Sequence, residues 1–432
     1  MAKLNNGGKL GDLVKSGYRV VYETTESIDR LEGERQGLPY FLQAADITTP
    51  FINAESMGCV ATSDWYRYPK GRISPGELLI EVKGRAEKIA LVPEDFPRNT
   101  LVTGTCFKLS TFERVDQYFL AAYLTCRHGQ ILKDRLKTNL LVSYLAKDDL
   151  YGLPVPSVSM RLKERIRNVF DICFSEHGKG HAFLKNAEMG LIQALSLENL
   201  QAPEPLSYVR HSSEAFAAGR LDAEYFKPRV LDLLSSLGRD GRTLRDVAPV
   251  RHEAFESSNA GKHFRYIEIG DIRNDGSVEA NELATEDAPS RATQHVRSGD
   301  VLTSTVRPIR RLSAVVSAEQ DGAVCSSGFV VLNPSSISAS TLMTYLRLPL
   351  VCELMDLHTS ASLYPAISEK DLMALPVPLI SEAVQQSVDA SVGASRRAKQ
   401  RATQLLDAAK RGVEIAIEDS EAAAIAYLKE FM

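Results

Sequence analysis

The residues best suited to chemistry in this sequence are basic and aromatic side chains, which gather in short stretches of both halves of the chain. Arginine can donate paired hydrogen bonds to base edges, lysine can contact phosphates and aromatic rings can stack, so such stretches are typical of nucleic-acid contacts. The alternative is that they belong to ordinary solvated turns. The candidate DNA-binding residues are Tyr68, Lys70, Arg72, Lys83, Arg85 and Lys88 in the first half and Lys262, Arg265, Arg307, Arg310 and Arg311 in the second.

One basic stretch of the first half has a counterpart at the matching position of the second. Residues 83–88 align with residues 307–311 when the two halves are compared. A basic turn that recurs at one place in a repeat favours a function for that turn. We therefore expect Arg307, Arg310 and Arg311 to face DNA.

Carboxylates and histidines provide two weaker candidates for chemistry. Asp46 and Asp271 follow apolar strands at matching positions, where they could be catalytic or could begin turns by binding nearby backbone amides. His177 and His181 are four residues apart, a spacing that could ligate a metal on a helix. The residues between the histidines include two glycines, which predict an exposed break instead. We expect turn-forming aspartates and no metal site.

Familiar enzyme motifs are missing from the sequence. It contains no Asp/Asn-Pro-Pro-Tyr/Phe string of an amino-methyltransferase, no phosphate-binding loop, no Gly-x-Ser-x-Gly elbow and no His-Glu-x-x-His zinc helix. We therefore expect a chain without catalytic residues and without a cofactor of its own.

The net charge, the apolar segments and the cysteines of the sequence exclude several classes of protein. The 432 residues carry a formal net charge of −4, whereas a protein that binds nucleic acid without specificity is usually basic. The sequence contains no run of about 18 apolar residues, so no membrane span is predicted. The six cysteines are scattered, which predicts free thiols in a reducing compartment. These features predict a cytoplasmic protein.

The chain contains a long internal repeat. The strings DLYGLPVP at 149–156 and DLMALPVP at 371–378 agree at six of eight positions and lie 222 residues apart, and Tyr123 falls on Tyr345 at the same offset. Such a period is too long for a solenoid, so it indicates two copies of one folding unit in tandem.

Each copy shows strand signals first and helix signals later. Apolar and alternating segments predict strand pairs at 78–82 with 88–92 and at 301–306 with 311–316. Helical spacing predicts one helix at 116–132 and one at 340–355.

A long helical pattern follows each proline-rich string. Its apolar residues recur with a period near 3.5, which indicates either a helix pair or the core face of ordinary helices. Gly178 and Gly180 predict a kink or break in the first helix. The residues expected at the helix-pair and partner interface are Leu162, Ile166, Val169, Leu184, Leu191, Val388, Ala402, Leu405 and Ala409.

Taken together, these segments resemble type I restriction–modification specificity subunits. The resemblance rests on the duplicated plan of a globule followed by a long helix, and it covers nearly the whole chain. It is most specific in the second half, in the strings YIEIGDI at 266–272, GDVL at 299–302, CSSGFVVL at 325–332 and LPVP at 375–378.

The resemblance implies a fold class, a domain plan and a set of partners. It implies α/β (α+β) target-recognition domains in tandem duplication, separated by two long antiparallel coiled-coil-like helices. The expected segments are target-recognition domains at 1–155 and 205–378, with spacer helices at 156–204 and 379–432. The implied partners are double-stranded DNA, two DNA methyltransferase subunits that bind S-adenosylmethionine, and in some complexes a restriction or translocase subunit.

Three other functions fit the same sequence. One is the specificity subunit of a related phage-defence or restriction–methylation system. The second is an enzyme with a site that no motif describes, and the third is a scaffold that binds only proteins.

Overall fold

The computed structural model describes residues 7–20, 25–137, 144–198, 200, 205–259, 261–273, 275–360 and 364–432. The chain forms two compact units. Unit 1 comprises residues 1–178 and 398–432, and unit 2 comprises residues 179–397. Each unit therefore includes part of both long helices.

Unit 1 contains a four-stranded antiparallel sheet and a smaller mixed sheet. The order of the larger sheet is Val14–Tyr18, Cys106–Thr111, Leu78–Glu81, Ile89–Leu91. The smaller sheet has the order Gly58–Cys59, Tyr40–Leu42, Thr100–Val102. Two-stranded ladders join Gly8–Lys9 to Pro154–Val155 and Ile47–Thr48 to Phe51–Ile52. The helices are Leu10–Leu13, Arg30–Arg35, Thr62–Arg67, Arg114–Thr125, Arg127–Leu136, Lys147–Gly152 and Glu421–Lys429.

Unit 2 repeats much of this arrangement. One sheet has the order Ser313–Val315, Val301–Ser304, Phe329–Leu332, and the other has the order Asn281–Ala284, His263–Ile267, Val324–Ser326, Ala292–His295. A further ladder joins Thr359–Ser360 to Ala366–Ile367. The helices are Ser212–Ala218, Pro228–Gly238, Leu244–Val247, Ala339–Leu346, Pro349–Leu357 and Glu369–Met373.

The strand register confirms the predicted duplication. Leu79 pairs with Lys108 in unit 1, and Leu302 pairs with Val331 in unit 2, so both partners move by the same number of residues. Because a shift of one residue would turn every side chain to the opposite face, equal register places corresponding positions on the same face of the sheet in both copies. The predicted strand pairs are also confirmed, because Leu78–Glu81 pairs with Ile89–Leu91 and Val301–Ser304 pairs with Ser313–Val315.

In each unit a buried tyrosine of an earlier helix donates a hydrogen bond to the proline-rich string. The hydroxyl of Tyr123 donates to the carbonyl of Pro154 at 2.6 Å, and that of Tyr345 donates to Pro376 at 2.5 Å. Tyr123 and Tyr345 are 0% and 1% exposed. The repeated string is therefore held by a repeated hydrogen bond.

We expect Tyr123→Phe and Tyr345→Phe each to lower the free energy of unfolding by about 0.5–1.5 kcal/mol, because the carbonyl of a half-buried proline loses its donor. Urea unfolding measures the change. Tyr66→Phe is the matched control, since Tyr66 is 72% exposed. Tyrosine variants that unfold like this control would contradict the assigned role.

Two helix predictions need correction. The segments predicted as single helices are each two helices, which separate at Cys126 in unit 1 and before Pro349 in unit 2. Proline disfavours helical backbone in the residue before it, which ends the helix in unit 2. In unit 1, a Cβ on Gly129 would lie 2.0 Å from the carbonyl oxygen of Tyr123, so glycine permits the sharp turn there.

The long helices are continuous. They extend over Met160–Ala194 and Glu382–Glu418. The predicted break at Gly178 and Gly180 is wrong, because packing outweighs the helix cost of glycine, which is about 1 kcal/mol. Gly180 is itself buried, and its carbonyl accepts a hydrogen bond from Ser395 at 2.7 Å.

The long helices are antiparallel where they touch. Within unit 1 the thiol of Cys173 contacts the carbonyl of Ala402, and within unit 2 Ser395 contacts Gly180. The residue number falls on one helix as it rises on the other. All nine residues predicted for the helix pair are buried, in the core of unit 1 (Leu162, Ile166, Val169, Ala402, Leu405, Ala409) or of unit 2 (Leu184, Leu191, Val388).

Candidate nucleic-acid interface

The first basic turn joins strands Leu78–Glu81 and Ile89–Leu91. Its base is fixed by Glu81, a residue that is 8% exposed and whose carboxylate accepts hydrogen bonds from the amides of Glu87 at 3.0 Å and Lys88 at 3.2 Å. Lys83 and Arg85 are exposed at the apex. The turn therefore presents two cations on a fixed backbone.

Ala86 gives this turn an unusual backbone. Its φ is 53°, in the left-handed region that costs a non-glycine residue about 1–2 kcal/mol. Its carbonyl accepts a hydrogen bond at 2.9 Å from the ammonium of Lys133, which is 0% exposed. A buried cation therefore stabilises the strained part of the turn.

Burial and, to a smaller extent, the charge of Lys137 lower the pKa of Lys133 to about 8, although Asp134, Glu81 and Glu87 act in the opposite direction. The ammonium form is thus disfavoured in the folded protein compared with the unfolded chain, in which the pKa is about 10.5.

We therefore expect a pH dependence that Lys133→Met removes. Between pH 8 and about pH 10.5 the unfolded chain binds more protons at this site than the folded chain, so the contribution of Lys133 to stability rises with pH in that window. Unfolding of both proteins across this range measures the difference. Parallel profiles would contradict the assigned pKa.

The second basic turn joins Val301–Ser304 and Ser313–Val315. It contains a 3-10 turn at Pro308–Arg310, flanked by Arg307 with φ 50° and Arg311 with φ 60°. Both turns thus contain left-handed residues that are not glycine.

In each unit, a segment from later in the chain pairs with the basic turn, and it does so at equivalent positions. An isolated bridge pairs Lys83 with Tyr144 in unit 1 and Val306 with Ala366 in unit 2. In unit 2 the amide of Arg307 also donates to Pro365 at 2.8 Å. The two predicted basic turns are therefore structural equivalents.

The three arginines of the second turn differ in their surroundings. Arg310 is exposed, and the guanidinium of Arg307 lies 5.4 Å from the ring centroid of Tyr364, which is 71% exposed. Arg311 instead donates to the carbonyl of Arg347 at 2.6 Å and to the carboxylate of Glu188 at 2.6 Å. The side chain of Arg311 therefore stabilises the turn through contacts within unit 2.

Arg347 is buried, and its side chain in turn donates to the backbone of Arg311. It is 3% exposed, and its guanidinium donates to the carbonyls of Arg311 at 2.8 Å and Ser313 at 3.3 Å. Burial and the charge of Arg311 lower its pKa, whereas the carboxylates of Glu188 and Asp275 raise it. Arg311 and Arg347 therefore form a reciprocal clamp.

Of the other candidates in unit 1, Tyr68, Lys70 and Arg72 lie near an exposed aromatic segment. The guanidinium of Arg72 stacks 4.3 Å from the ring centroid of Trp65 and donates to its carbonyl at 2.9 Å. Lys70 is exposed, with its ammonium 5.9 Å from the ring centroid of Tyr18, and Tyr68 is half-buried. Arg72 therefore organises this segment.

The remaining candidates occupy different surroundings. Lys88 donates to the carbonyl of Ala44 at 2.8 Å, and Arg265 donates to that of Asp321 at 2.6 Å. Lys262 is exposed. Lys88 and Arg265 thus have intramolecular partners, whereas Lys83, Arg85 and Arg310 are exposed at the two turn apices.

The aspartates at matching positions of the two units are structural. Asp46 accepts the amide of Gln43 at 2.8 Å, and Asp271 accepts the amide of Glu268 at 2.7 Å, which confirms the turn-forming role. Burial raises the pKa of Asp46 above its ordinary value, although its hydrogen bonds oppose the shift. The ring of His177 stacks on Phe51, with centroids 3.6 Å apart.

Lys133 and Arg347 were not among the residues predicted from the sequence. Each has apolar neighbours along the chain, Leu132 before Lys133 and Leu346 with Leu348 around Arg347. Arg347 is a lone cation in an apolar stretch, and because a buried charge requires a partner, this is a signal that could have identified it. Lys133 is followed by the charged residues Asp134 and Arg135, so its local sequence gives no such signal.

Two further observations concern the described part of the chain. No helix in it has the length and apolar character needed to cross a membrane. Within the same residues, histidine, cysteine, aspartate and glutamate side chains form no group of three or more that could hold a metal ion.

No family model and no curated protein matches the sequence. Solved structures do match. The chain is similar to type I restriction–modification specificity subunits. The S subunit from M. genitalium is 13% identical, with 98% of this chain and 96% of that chain covered and a TM-score of 0.39.

Two other solved structures align over similar lengths. The HsdS subunit from Thermoanaerobacter tengcongensis is 14% identical, with 98% and 95% of the two chains covered and a TM-score of 0.26. A chain from a study of complex assembly and conformational transition of the type I R-M system is 17% identical, with coverages of 98% and 96% and a TM-score of 0.27. At these scores no residue's role is carried over.

Proposed function

We propose that this chain is the non-catalytic, sequence-specific DNA-binding subunit of a type I restriction–modification complex. The observation that supports it best is the pair of equivalent basic turns, one in each copy of a duplicated unit. Each turn presents exposed cations on a backbone held by a buried cation. Two such turns in one chain suit a target made of two half-sites.

Each unit would read one half of an asymmetric target. The apex residues Lys83 and Arg85 would contact one half-site, and Arg307 and Arg310 would contact the other. Two weak contacts joined in one chain gain affinity through effective concentration. The segments at 1–155 and 205–378 would be the target-recognition domains, and the segments at 156–204 and 379–432, which contain the long helices, would set the spacer.

Chemistry would come from partners in the cytoplasm. Two adenine methyltransferase subunits, which bind S-adenosylmethionine, would dock on the helical segments, and a restriction or translocase subunit could join them. The net charge of −4 fits a subunit whose partners supply part of the phosphate-binding surface.

The test uses the tagged full chain purified from its own cells with the proteins that accompany it. We expect a DNA methyltransferase in the complex and enrichment, from random duplexes, of a motif with two half-sites about one helical turn or more apart. The chain alone should not transfer methyl groups. Methyl transfer by the isolated chain, or a complex that enriches no motif, would overturn the proposal.

A further inference from the structure

Beneath each basic turn lies a cation that solvent cannot reach. Lys133 is 0% exposed and Arg347 is 3% exposed, so neither can contact a macromolecule directly. Each donates to the carbonyl of a left-handed turn residue, Ala86 or Arg311. Any effect of these cations on binding must therefore pass through the turn.

The two cations come from different positions of the repeat. Lys133 lies within helix Arg127–Leu136, whereas Arg347 directly follows helix Ala339–Leu346. The duplicated units thus make the same contact with residues that do not correspond in sequence. Because residues at different positions of the repeat provide this contact, it was not simply inherited from the ancestral unit. We infer that each basic turn requires such a contact.

In unit 2, the mutual contact between Arg311 and Arg347 also gives the arginines of the turn different roles. Arg311 is committed to the carbonyl of Arg347 and to Glu188, while Arg310 and Ile309 are exposed at the apex. The amides of Arg310 and Arg311 donate to Arg307 and Pro308 inside the turn. Fixing Arg311 therefore fixes the backbone from which Arg307 and Arg310 project.

We propose that Lys133 and Arg347 are positioning residues, each of which holds the backbone of one basic turn so that its exposed cations meet DNA in a fixed arrangement. This inference rests on the proposed function. It also assigns Arg311 to the positioning machinery, although the sequence predicts that it faces DNA.

The experiment is a double-mutant cycle in the full complex, with the duplex that the wild-type complex enriches as the probe. Arg347→Met should weaken binding about tenfold, and Arg347→Lys, which retains a donor, should restore most of that loss. In a protein that already carries Arg307→Ala and Arg310→Ala, Arg347→Met should have little further effect, because it acts through those two side chains.

A second readout follows the turn itself. Hydrogen exchange at the amides of Arg310 and Arg311 should accelerate in Arg347→Met and return toward wild type in Arg347→Lys. In unit 1, Lys133→Met should likewise weaken binding through Lys83 and Arg85.

The outcomes separate the two proposals. If the wild-type complex enriches no DNA, the proposed function fails and the positioning role fails with it. If wild type binds but the losses from Arg347→Met and from the apex substitutions simply multiply, or if exchange in the turn is unchanged, only the positioning role is overturned.

Discussion

Leu405→Asp is expected to destabilise unit 1 by at least about 3 kcal/mol, because it places an unpaired carboxylate in an apolar core. Leu405 is 0% exposed and belongs to the same core as Ile166 and Val169 of the other long helix. The protein has a single tryptophan, Trp65, which lies in unit 1, so its fluorescence during denaturant unfolding reports on this unit.

The control for this variant lies one residue away. Gln404 is exposed on the same helix, so Gln404→Asp adds the same charge without burying it. We expect that control to unfold within about 0.5 kcal/mol of wild type, as surface substitutions usually do. Similar midpoints for both variants would show that the helix seam does not stabilise unit 1.

Joint replacement of Arg307 and Arg310 by alanine is expected to weaken DNA binding about a hundredfold, because each side chain contributes about 1–3 kcal/mol if it contacts DNA. The slope of log affinity against log salt should fall by about two, since each lost phosphate contact removes about one counterion. Titrations of the complex at several salt concentrations measure both quantities.

A matched control tests whether the position of the charge matters. Arg245 is exposed on helix Leu244–Val247 of the same unit. Arg245→Ala removes one charge outside the turn and should leave affinity nearly unchanged. If the turn substitutions also leave affinity and salt slope unchanged, the second basic turn does not contact DNA.

The repeat and the strand pairs could be predicted because their signals are local. Alternating or continuous apolar residues define the strands that contain Leu79 and Leu302, and the proline-rich strings mark the end of each globule. The apolar faces of the long helices could also be predicted, since a spacing of three and four residues places Leu162, Ile166 and Val169 on one face.

The rest depends on contacts between residues distant in sequence. Gly180 continues a helix because Ser395 and the core pack against it, which the local cost of glycine does not reveal. Likewise, Arg311 looks like any other exposed arginine until Glu188 and Arg347 are brought beside it. The turns could be located from the sequence, but the division between apex and bracing side chains could not.

The central claim is that each copy of the repeat reads its own half of one target. The measurement that tests it most directly is selection of random duplexes by two variant complexes, one with Lys83→Ala and Arg85→Ala and the other with Arg307→Ala and Arg310→Ala. We predict that each variant loses sequence preference in one half-site and keeps it in the other, with the halves exchanged between variants. Loss of both halves in either variant, or of neither in both, would contradict the claim.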